Sequence, residues 1–510
     1  MRFALVGSIV AEIRQHARGA NIWYLAAGST FLATYLIPAP GSGYATMSAA
    51  GKVPLLTSGF AGTMSGALFA TFFALPCFFA FGSTFYRDRQ SGFGGLLAAT
   101  PASNAMLVLS RLAAAFLMLG AIVAGAGVVL AGCFELRGQA PFDVLRFYAS
   151  YLLFALPAVA FFSGLGVTVD AALREHRRGI RVAIGISVWL FLVMILIVPA
   201  ASRFDVFGFA SVQRSVRHAI GADAQSLAVG IVSVASNARH FTWNGVSLTA
   251  DFVVQRLLIA ATVVPFAAIA IFVFDRFRSS GSARGGVTAP IDADIDAPWN
   301  AFSPVHSAYA PHLWSLVAAD TLLRIRTRPF TAYATLAAAV LFTLVDLRGA
   351  KIGALLLPFA WYLTIDSSEG TFGIGQLVFS MPHAREWYPI WKTTALAALP
   401  LCAVVGLVLH AALAQGTTSA LLVVAGVLLE CAWLVGCQLI TGGPIFGLVT
   451  LLFAWYELAA TRVPFFDYVG VANSGGETLI RTLLALALVA VGTSIAWATG
   501  AIGRVVREET

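Results

Sequence analysis

Two polar stretches interrupt the apolar sequence at matching places, DRQSGFGGLLAATP at residues 88–101 and EGTFGIGQLVFSMP at residues 369–382. In both, an acid is followed at the same intervals by two glycines, a proline and then a cation. The positions in the two copies are Asp88, Gly92, Gly94, Pro101 and Arg111, and Glu369, Gly373, Gly375, Pro382 and Lys392. This repetition predicts a chain built of two related halves.

The composition indicates a membrane protein. Of the 510 residues, 59% are hydrophobic and only 11% are charged, and the mean hydropathy is +0.84. A soluble globular protein carries roughly 25% charged residues, so most of this chain is expected to lie in a bilayer. The net charge of +8 is explained by basic cytoplasmic loops, and we do not expect nucleic-acid binding.

Apolar runs of about 20 residues predict membrane-spanning helices. We expect an all-α polytopic membrane protein with about 12 transmembrane helices, arranged as two pseudo-symmetric six-helix halves. The first half contains the runs 20–37, 58–85, 105–132, 148–170, 182–201 and 253–275. The second contains 329–346, 351–368, 391–412, 417–440, 444–458 and 480–502.

Three further segments complete this organisation. An amphipathic helix is predicted before the first span of each half, at residues 1–20 and 313–328. A stretch rich in Ser, Gly, Pro and Asp at 279–312 predicts a flexible cytoplasmic linker between a first half, 1–278, and a second, 313–510. Residues 203–251 alternate too irregularly for a span and are interpreted as short outer or re-entrant helices.

The distribution of cations predicts the orientation. Placing both termini in the cytoplasm puts 20 of the 32 Arg and Lys residues on the inner side. Cytoplasmic loops are enriched in these residues. Both polar stretches then face the cytoplasm.

With this layout, the repeated stretch resembles the acid, glycine and proline pattern after the second helix of ABC transporter permeases of the type 2 exporter family. The resemblance covers nearly the whole chain, taken twice. It implies six spans per half, an amphipathic elbow helix before the first span and a coupling helix in the second-to-third loop. Family members usually carry Glu at this acidic position. Here the first copy has Asp88 instead, and the second copy keeps Glu369.

The resemblance implies the permease subunit of an ATP-driven exporter in the bacterial inner membrane. Its cargo would be a hydrophobic or amphipathic small molecule, peptide or antibiotic, moved by alternating access. The chain lacks the G-x-x-x-x-G-K-[ST] loop that binds nucleotide phosphates, so it is not expected to be an enzyme or to hold a cofactor or metal itself. A separate ABC ATPase, in two copies, would bring ATP and magnesium, and its coupling contacts would be the ten repeated positions named above.

Glu430 lies inside the apolar run 421–439. An ionisable group there is costly and is therefore a functional candidate. It faces either a translocation pathway, where it contacts a cationic group of the substrate, or a polar neighbour or the membrane interface. The sequence leaves both open.

Two other function classes fit parts of the sequence less well. An ion-coupled secondary transporter also has repeats around a midline pathway, but it usually places several ionisable residues within its spans. A polytopic membrane enzyme needs a catalytic cluster of His, Ser or paired carboxylates, and the eight histidines are scattered. The five cysteines form no C-x-x-C pair, so neither a disulfide framework nor a zinc site is expected.

Overall fold

A computed structural model gives the fold of most of the chain. Contacts divide it into two compact units, Met1–Asp294 and Ile295–Thr510. The predicted linker, residues 279–312, lies outside the described residues. The structure describes residues 2–39, 41–81, 84–85, 88, 102–173, 178–194, 204–220, 227–234, 238–275, 313–327, 335, 337, 339–340, 346–362, 384–441, 445–460, 467–471 and 473–499.

Helices form most of both units. The first unit contains α1 (Arg2–Arg18), α2 (Ala20–Leu36), β1 (Tyr44–Ala49), β2 (Val53–Pro54), α3 (Ser58–Ala80), α4 (Asn104–Arg137), α5 (Val144–Ala172), α6 (Arg178–Met194), α7 (Phe209–Ile220), β3 (Leu227–Ser233), β4 (His240–Phe241), α8 (Ala250–Ala261) and α9 (Val263–Val273). The second contains α10 (Leu313–Thr327), α11 (Leu347–Ala354), α12 (Leu356–Tyr362), α13 (Ala384–Ala403), α14 (Val405–Gln415), α15 (Thr417–Thr441), α16 (Ile445–Ala460) and α17 (Gly476–Ala498).

Six helical segments of the described chain are long and apolar enough to cross a membrane. A seventh results if the bent pair Glu386–Ala403 and Val405–Gln415 forms one span. The six are Ser58–Ala80, Asn104–Arg137, Val144–Ala172, Ala250–Val273, Thr417–Ile440 and Gly476–Ala498. Shorter apolar helices cover Ile22–Leu36, Ile184–Val193 and Phe446–Trp455. The chain is therefore a mostly helical, polytopic membrane protein. Most of the predicted span 329–346 lies outside the described residues.

Side-chain caps fix where several of these helices begin. The hydroxyl of Thr57 accepts a hydrogen bond from the Phe60 N–H at the start of α3, at 3.3 Å. Ser103 caps α4 at 3.2 Å in the same way, and Asp143 caps α5 at 3.0 Å. Each cap satisfies a backbone donor that has no partner within its own helix, and is typically worth about 1 kcal/mol.

The bend between α13 and α14 is 63°. Pro400 lies in the last turn of α13, four residues before the junction at Val404. A proline has no N–H to donate and its ring pushes against the preceding turn, so the helix bends near it.

Close packing of α3 against α5 forms the core of the first unit. Gly62 and Gly66 of α3 lie against the backbone of Phe147 and Tyr151 of α5. A Cβ added at Gly62 would lie 2.4 Å from the Phe147 carbonyl oxygen, and one at Gly66 would lie 2.8 Å from that of Tyr151. Two small residues four apart let the helix backbones approach, as in membrane helix pairs generally.

The segment 203–251 differs from its helix-only prediction. It contains α7, but β3 and β4 follow. Strand β3 pairs antiparallel with β1, with Tyr44 opposite Ser233 and Ala49 opposite Leu227. Strand β4 pairs in parallel with β2. Strand β3 has the sequence LAVGIVS, whose β-branched residues suit a strand, but its partner lies almost 180 residues earlier and was not evident from the local pattern.

We expect Gly62→Ala to destabilise the first unit. The new methyl group overlaps a backbone atom that cannot move aside by itself, and overpacking of this kind typically costs about 1–3 kcal/mol. Thermal unfolding of the purified protein in detergent measures the change. Gly120→Ala is the matched control, because nothing lies within 4 Å of a Cβ at that position. Equal melting temperatures for the two variants would contradict the close contact of α3 with α5.

Candidate coupling sites and a buried glutamate

The first candidate site is a buried arginine between two carboxylates. Nε of Arg111, in the second turn of α4, lies 3.1 Å from Oε1 of Glu12 on the amphipathic helix α1. Nη2 of Arg111 donates to Oδ2 of Asp88. The guanidinium carbon lies 3.9 Å from the centre of the Phe85 ring, in a cation–π contact. We call Glu12, Phe85, Asp88 and Arg111 the first elbow cluster.

Asp170 holds the Phe85 backbone of this cluster in place. Its side chain is fully buried in the last turn of α5. Oδ2 accepts a hydrogen bond from the Phe85 N–H at 2.8 Å, and Oδ1 accepts one from Nη2 of Arg181 at 2.6 Å. Phe85 and Asp88 are therefore linked to α1, α4, α5 and α6 through buried ion pairs and hydrogen bonds.

The second unit contains a related arrangement. Oδ2 of Asp320, on the amphipathic helix α10, lies 3.2 Å from Nζ of Lys392 and 3.1 Å from Nη2 of Arg324. Nζ of Lys392 also lies 4.7 Å from the centre of the Trp391 ring. We call Asp320, Arg324, Trp391 and Lys392 the second elbow cluster.

Charge pairing decides the ionisation of Asp320. Burial alone would raise the pKa of this carboxyl, but Lys392 and Arg324 more than offset that effect, and its pKa falls below its usual value. Asp320 is therefore an anion at neutral pH, and it holds Lys392 of α13 against α10 while pairing with Arg324 one turn along its own helix.

Both clusters join an acid of an amphipathic helix to the cation at the repeated position. Glu12 and Asp320 were missed by the motif analysis, although each is the only acid in its predicted amphipathic helix, at 1–20 and 313–328. The structure brings Asp88 and Arg111 together. The remaining predicted coupling positions lie outside the described residues: Gly92, Gly94, Pro101, Glu369, Gly373, Gly375 and Pro382.

A second internal repeat appears as a turn that precedes α7 in the first unit and α17 in the second. The sequences are FDVFGFAS at 204–211 and FDYVGVAN at 466–473, which share F-D-x-x-G-x-A. Asp205 accepts hydrogen bonds from the N–H groups of Gly208 at 2.8 Å and Ala210 at 2.7 Å. Asp467 accepts from those of Gly470 and Asn473, both at 2.8 Å. We call these segments the Asp-Gly turns.

Glycine is required in both turns. Gly208 has a φ of 90° and Gly470 a φ of 77°. A side chain is strained at such angles, whereas glycine adopts them freely. The shared F-D-x-x-G-x-A pattern was therefore a readable signal that the motif analysis overlooked.

A buried cation from another helix binds each Asp-Gly turn. Arg256 of α8 donates to the carbonyl oxygens of Asp205 at 2.7 Å and Val206 at 3.2 Å. In the second unit, Nζ of Lys351 in α11 donates to the Gly470 carbonyl oxygen at 2.7 Å. The same ammonium group also donates to Gln415 and Ser419, both at 2.8 Å. The two units thus hold equivalent turns with cations from non-equivalent helices.

Glu430 lies near the middle of α15 and is 1% exposed. Its Oε1 accepts a hydrogen bond from the Tyr468 hydroxyl at 2.7 Å, so α15 is bonded to the second Asp-Gly turn. Its Oε2 has no hydrogen-bond partner within the described part of the chain. Of the two sequence-based interpretations, the contact with a polar neighbour is present, and a role in a translocation pathway stays a prediction.

Within the described residues, no group of three or more His, Cys, Asp or Glu side chains is placed to hold a metal ion. The five cysteines are free thiols.

Comparison with known proteins adds no relative, because no family model, curated protein or solved structure matches the chain.

We expect Arg256→Met to be strongly destabilising. It leaves the Asp205 carboxylate, whose nearest cationic atom is Nη2 of Arg256 at 3.7 Å, buried without its charge partner. Breaking a buried ion pair on one side typically costs about 3–5 kcal/mol. Thermal unfolding in detergent measures the loss, and Arg217→Met, on the exposed face of α7, is the control.

Replacing both charged partners should restore much of this stability. Asp205→Asn combined with Arg256→Met removes both charges and keeps a hydrogen-bonding side chain in the turn. If the double variant is no more stable than Arg256→Met alone, charge pairing is not what Arg256 supplies.

Proposed function

We propose that the chain is the permease of an ATP-driven ABC exporter, with both halves fused. The observation that carries this proposal is the pair of elbow clusters. Each half places an acid of its amphipathic helix on the cation that follows the repeated acid, glycine and proline pattern. A protein driven by a soluble motor needs such a rigid connection, because force applied outside the bilayer must reach the helices within it.

The proposed coupling route begins at the two polar stretches. Closure of a pair of ATPase subunits, which bring the ATP and magnesium, pushes on residues 88–101 and 369–382. In the first half, Asp88 passes this movement to Arg111 and hence to α1 and α4. In the second half, Lys392 and Asp320 connect α13 to α10. Twelve spans, cytoplasmic termini and a bacterial inner-membrane location belong to this proposal.

The proposed cargo is a hydrophobic or amphipathic small molecule, peptide or antibiotic, taken from the cytoplasm or inner leaflet and moved by alternating access. The apolar character of the described spanning helices supports it. Buried charges in the described helices form ion pairs or hydrogen bonds, as at Arg256 and Lys351. They are therefore less available to a charged cargo than Glu430, whose Oε2 has no hydrogen-bond partner within the described residues.

One observation favours a second candidate function, an ion-coupled secondary transporter. Glu430 is a buried carboxyl group in a spanning helix, and such groups often mark ion or proton pathways. The two candidates differ in their energy source. An exporter needs a nucleotide-hydrolysing partner, whereas a secondary transporter works alone on an ion gradient.

Co-purification tests the proposal directly. The full chain, extracted in mild detergent from the cell that produces it naturally, is expected to retain a soluble ATPase of a few hundred residues. The complex should hydrolyse ATP. Purification of the chain alone, together with gradient-driven transport after reconstitution, would instead establish the secondary transporter.

The acids of the polar stretches give a sharper test of coupling. Asp88→Ala with Glu369→Ala should leave the protein folded, because Arg111 loses Asp88 but keeps Glu12 as a charge partner. ATP-dependent transport should fall by more than about fivefold, since the loss of about 1 kcal/mol at a single loop already corresponds to that factor. Asp251→Ala with Glu477→Ala is the control, because these acids lie exposed in the first turns of α8 and α17, one in each unit. Transport at the wild-type rate by the first pair would show that its acids only shape turns.

A further inference from the structure

The two Asp-Gly turns face different side chains in the two units. A Cβ added at Gly208 would meet the Phe154 ring of α5, and one added at Gly470 would meet Leu422 of α15. Phe154 and Leu422 thus occupy equivalent places on the two helices. Eight positions further along each helix lie Phe162 in α5 and Glu430 in α15.

The turn residues that contact Phe162 and Glu430 also differ in chemistry, apolar in the first unit and polar in the second. In the first unit, Phe162 stacks on Phe207 with ring centres 6.0 Å apart, an apolar contact. In the second, Glu430 accepts a hydrogen bond from Tyr468. Tyr468 corresponds to Val206 in the F-D-x-x-G-x-A pattern. The helix position that packs against the turn therefore does not require an acid. At this position, only the second unit has a carboxyl group, that of Glu430.

No cation neutralises Glu430 within the described residues. The ionisable groups near it or near its turn are engaged elsewhere or uncharged. Asp467 accepts three backbone N–H groups, Lys351 donates to Gln415, Ser419 and Gly470, and Arg324 pairs with Asp320. The remaining two are the Tyr468 hydroxyl, which donates to Glu430, and the neighbouring thiol of Cys431.

An ionised Glu430 would be poorly stabilised in this setting. One hydrogen bond to a hydroxyl does not replace the hydration of a carboxylate, whose transfer to a low-dielectric interior costs several kcal/mol. Within the described chain, no donor forms a hydrogen bond to Oε2. This oxygen can therefore carry a proton. A protonated carboxyl removes the charge and leaves Oε1 to accept from Tyr468 as before.

We propose that Glu430 and Tyr468 form a proton-binding site in the second unit, with the proton on Oε2 of Glu430 in the described conformation. Release is a simple ionisation: the O–H bond breaks, the electron pair stays on the carboxylate and the proton passes to water. Because the carboxylate needs water or a cation that this conformation does not supply, release is coupled to movement of the second Asp-Gly turn away from α15. This site goes beyond the proposed export function and is compatible with either energy source.

Infrared spectroscopy of the purified full-length protein tests the site without any transport assay. A protonated carboxylic acid has a C=O stretching band distinct from those of carboxylates, and the band moves in D2O. We expect this band at neutral pH in the wild type and its loss in Glu430→Gln, which mimics the neutral acid in shape. Glu477→Gln, which removes an exposed acid of the same unit, should leave the band unchanged.

Tyr468→Phe provides an independent arm. Removing the hydroxyl deletes the hydrogen bond to Oε1, so the C=O band of Glu430 should rise in frequency while persisting. The Tyr468→Phe spectrum tests the proton site even if Glu430→Gln does not fold. An unchanged band in Tyr468→Phe, or a wild-type spectrum at neutral pH without any band sensitive to Glu430, would overturn the proton site.

Discussion

A lipid bilayer supplies no water to a buried charge, and this constraint explains how the charged residues of this chain are arranged. Isolated charges inside a membrane protein are costly, so they are tolerated where partners surround them. Arg111 lies between Glu12 and Asp88, and Arg256 lies against Asp205. Lys351 uses all three of its N–H groups on neutral oxygens. These paired charges link helices and loops to one another.

The same constraint makes the exceptions informative. Glu430 lies within a spanning helix, and its second oxygen has no hydrogen-bond partner in the described chain. The equivalent place in the first unit holds Phe162, which needs no partner. The two units therefore share their turns and their elbow contacts but differ at this position, where a buried acid is costly. In a repeated architecture, such a difference points to function more directly than a shared feature does.

Comparing the two Asp-Gly turns shows which of their residues the turn geometry requires and which can be supplied from different helices. The Asp-Gly turn keeps its acid and its glycine in both units, because the acid must accept backbone N–H groups and the glycine must adopt a positive φ. Its cation comes from α8 in one unit and from α11 in the other. The two cations also bind different carbonyl oxygens, those of Asp205 and Val206 in the first turn and that of Gly470 in the second, so the position of the cation in the sequence is free to change.

Local patterns in the sequence were enough for the membrane character, several helices and the two polar stretches, because apolar run length and glycine, proline and acid spacing are properties of neighbouring residues. Helices such as Asn104–Arg137 and Thr417–Thr441 lie where their apolar runs predicted them. Pairings between distant residues could not be read in this way. Glu12 meets Arg111 and β1 meets β3 only after the chain has folded. Tyr468 likewise approaches Glu430 across 38 residues, and the geometry of those contacts depends on helix packing, which no short window of sequence contains.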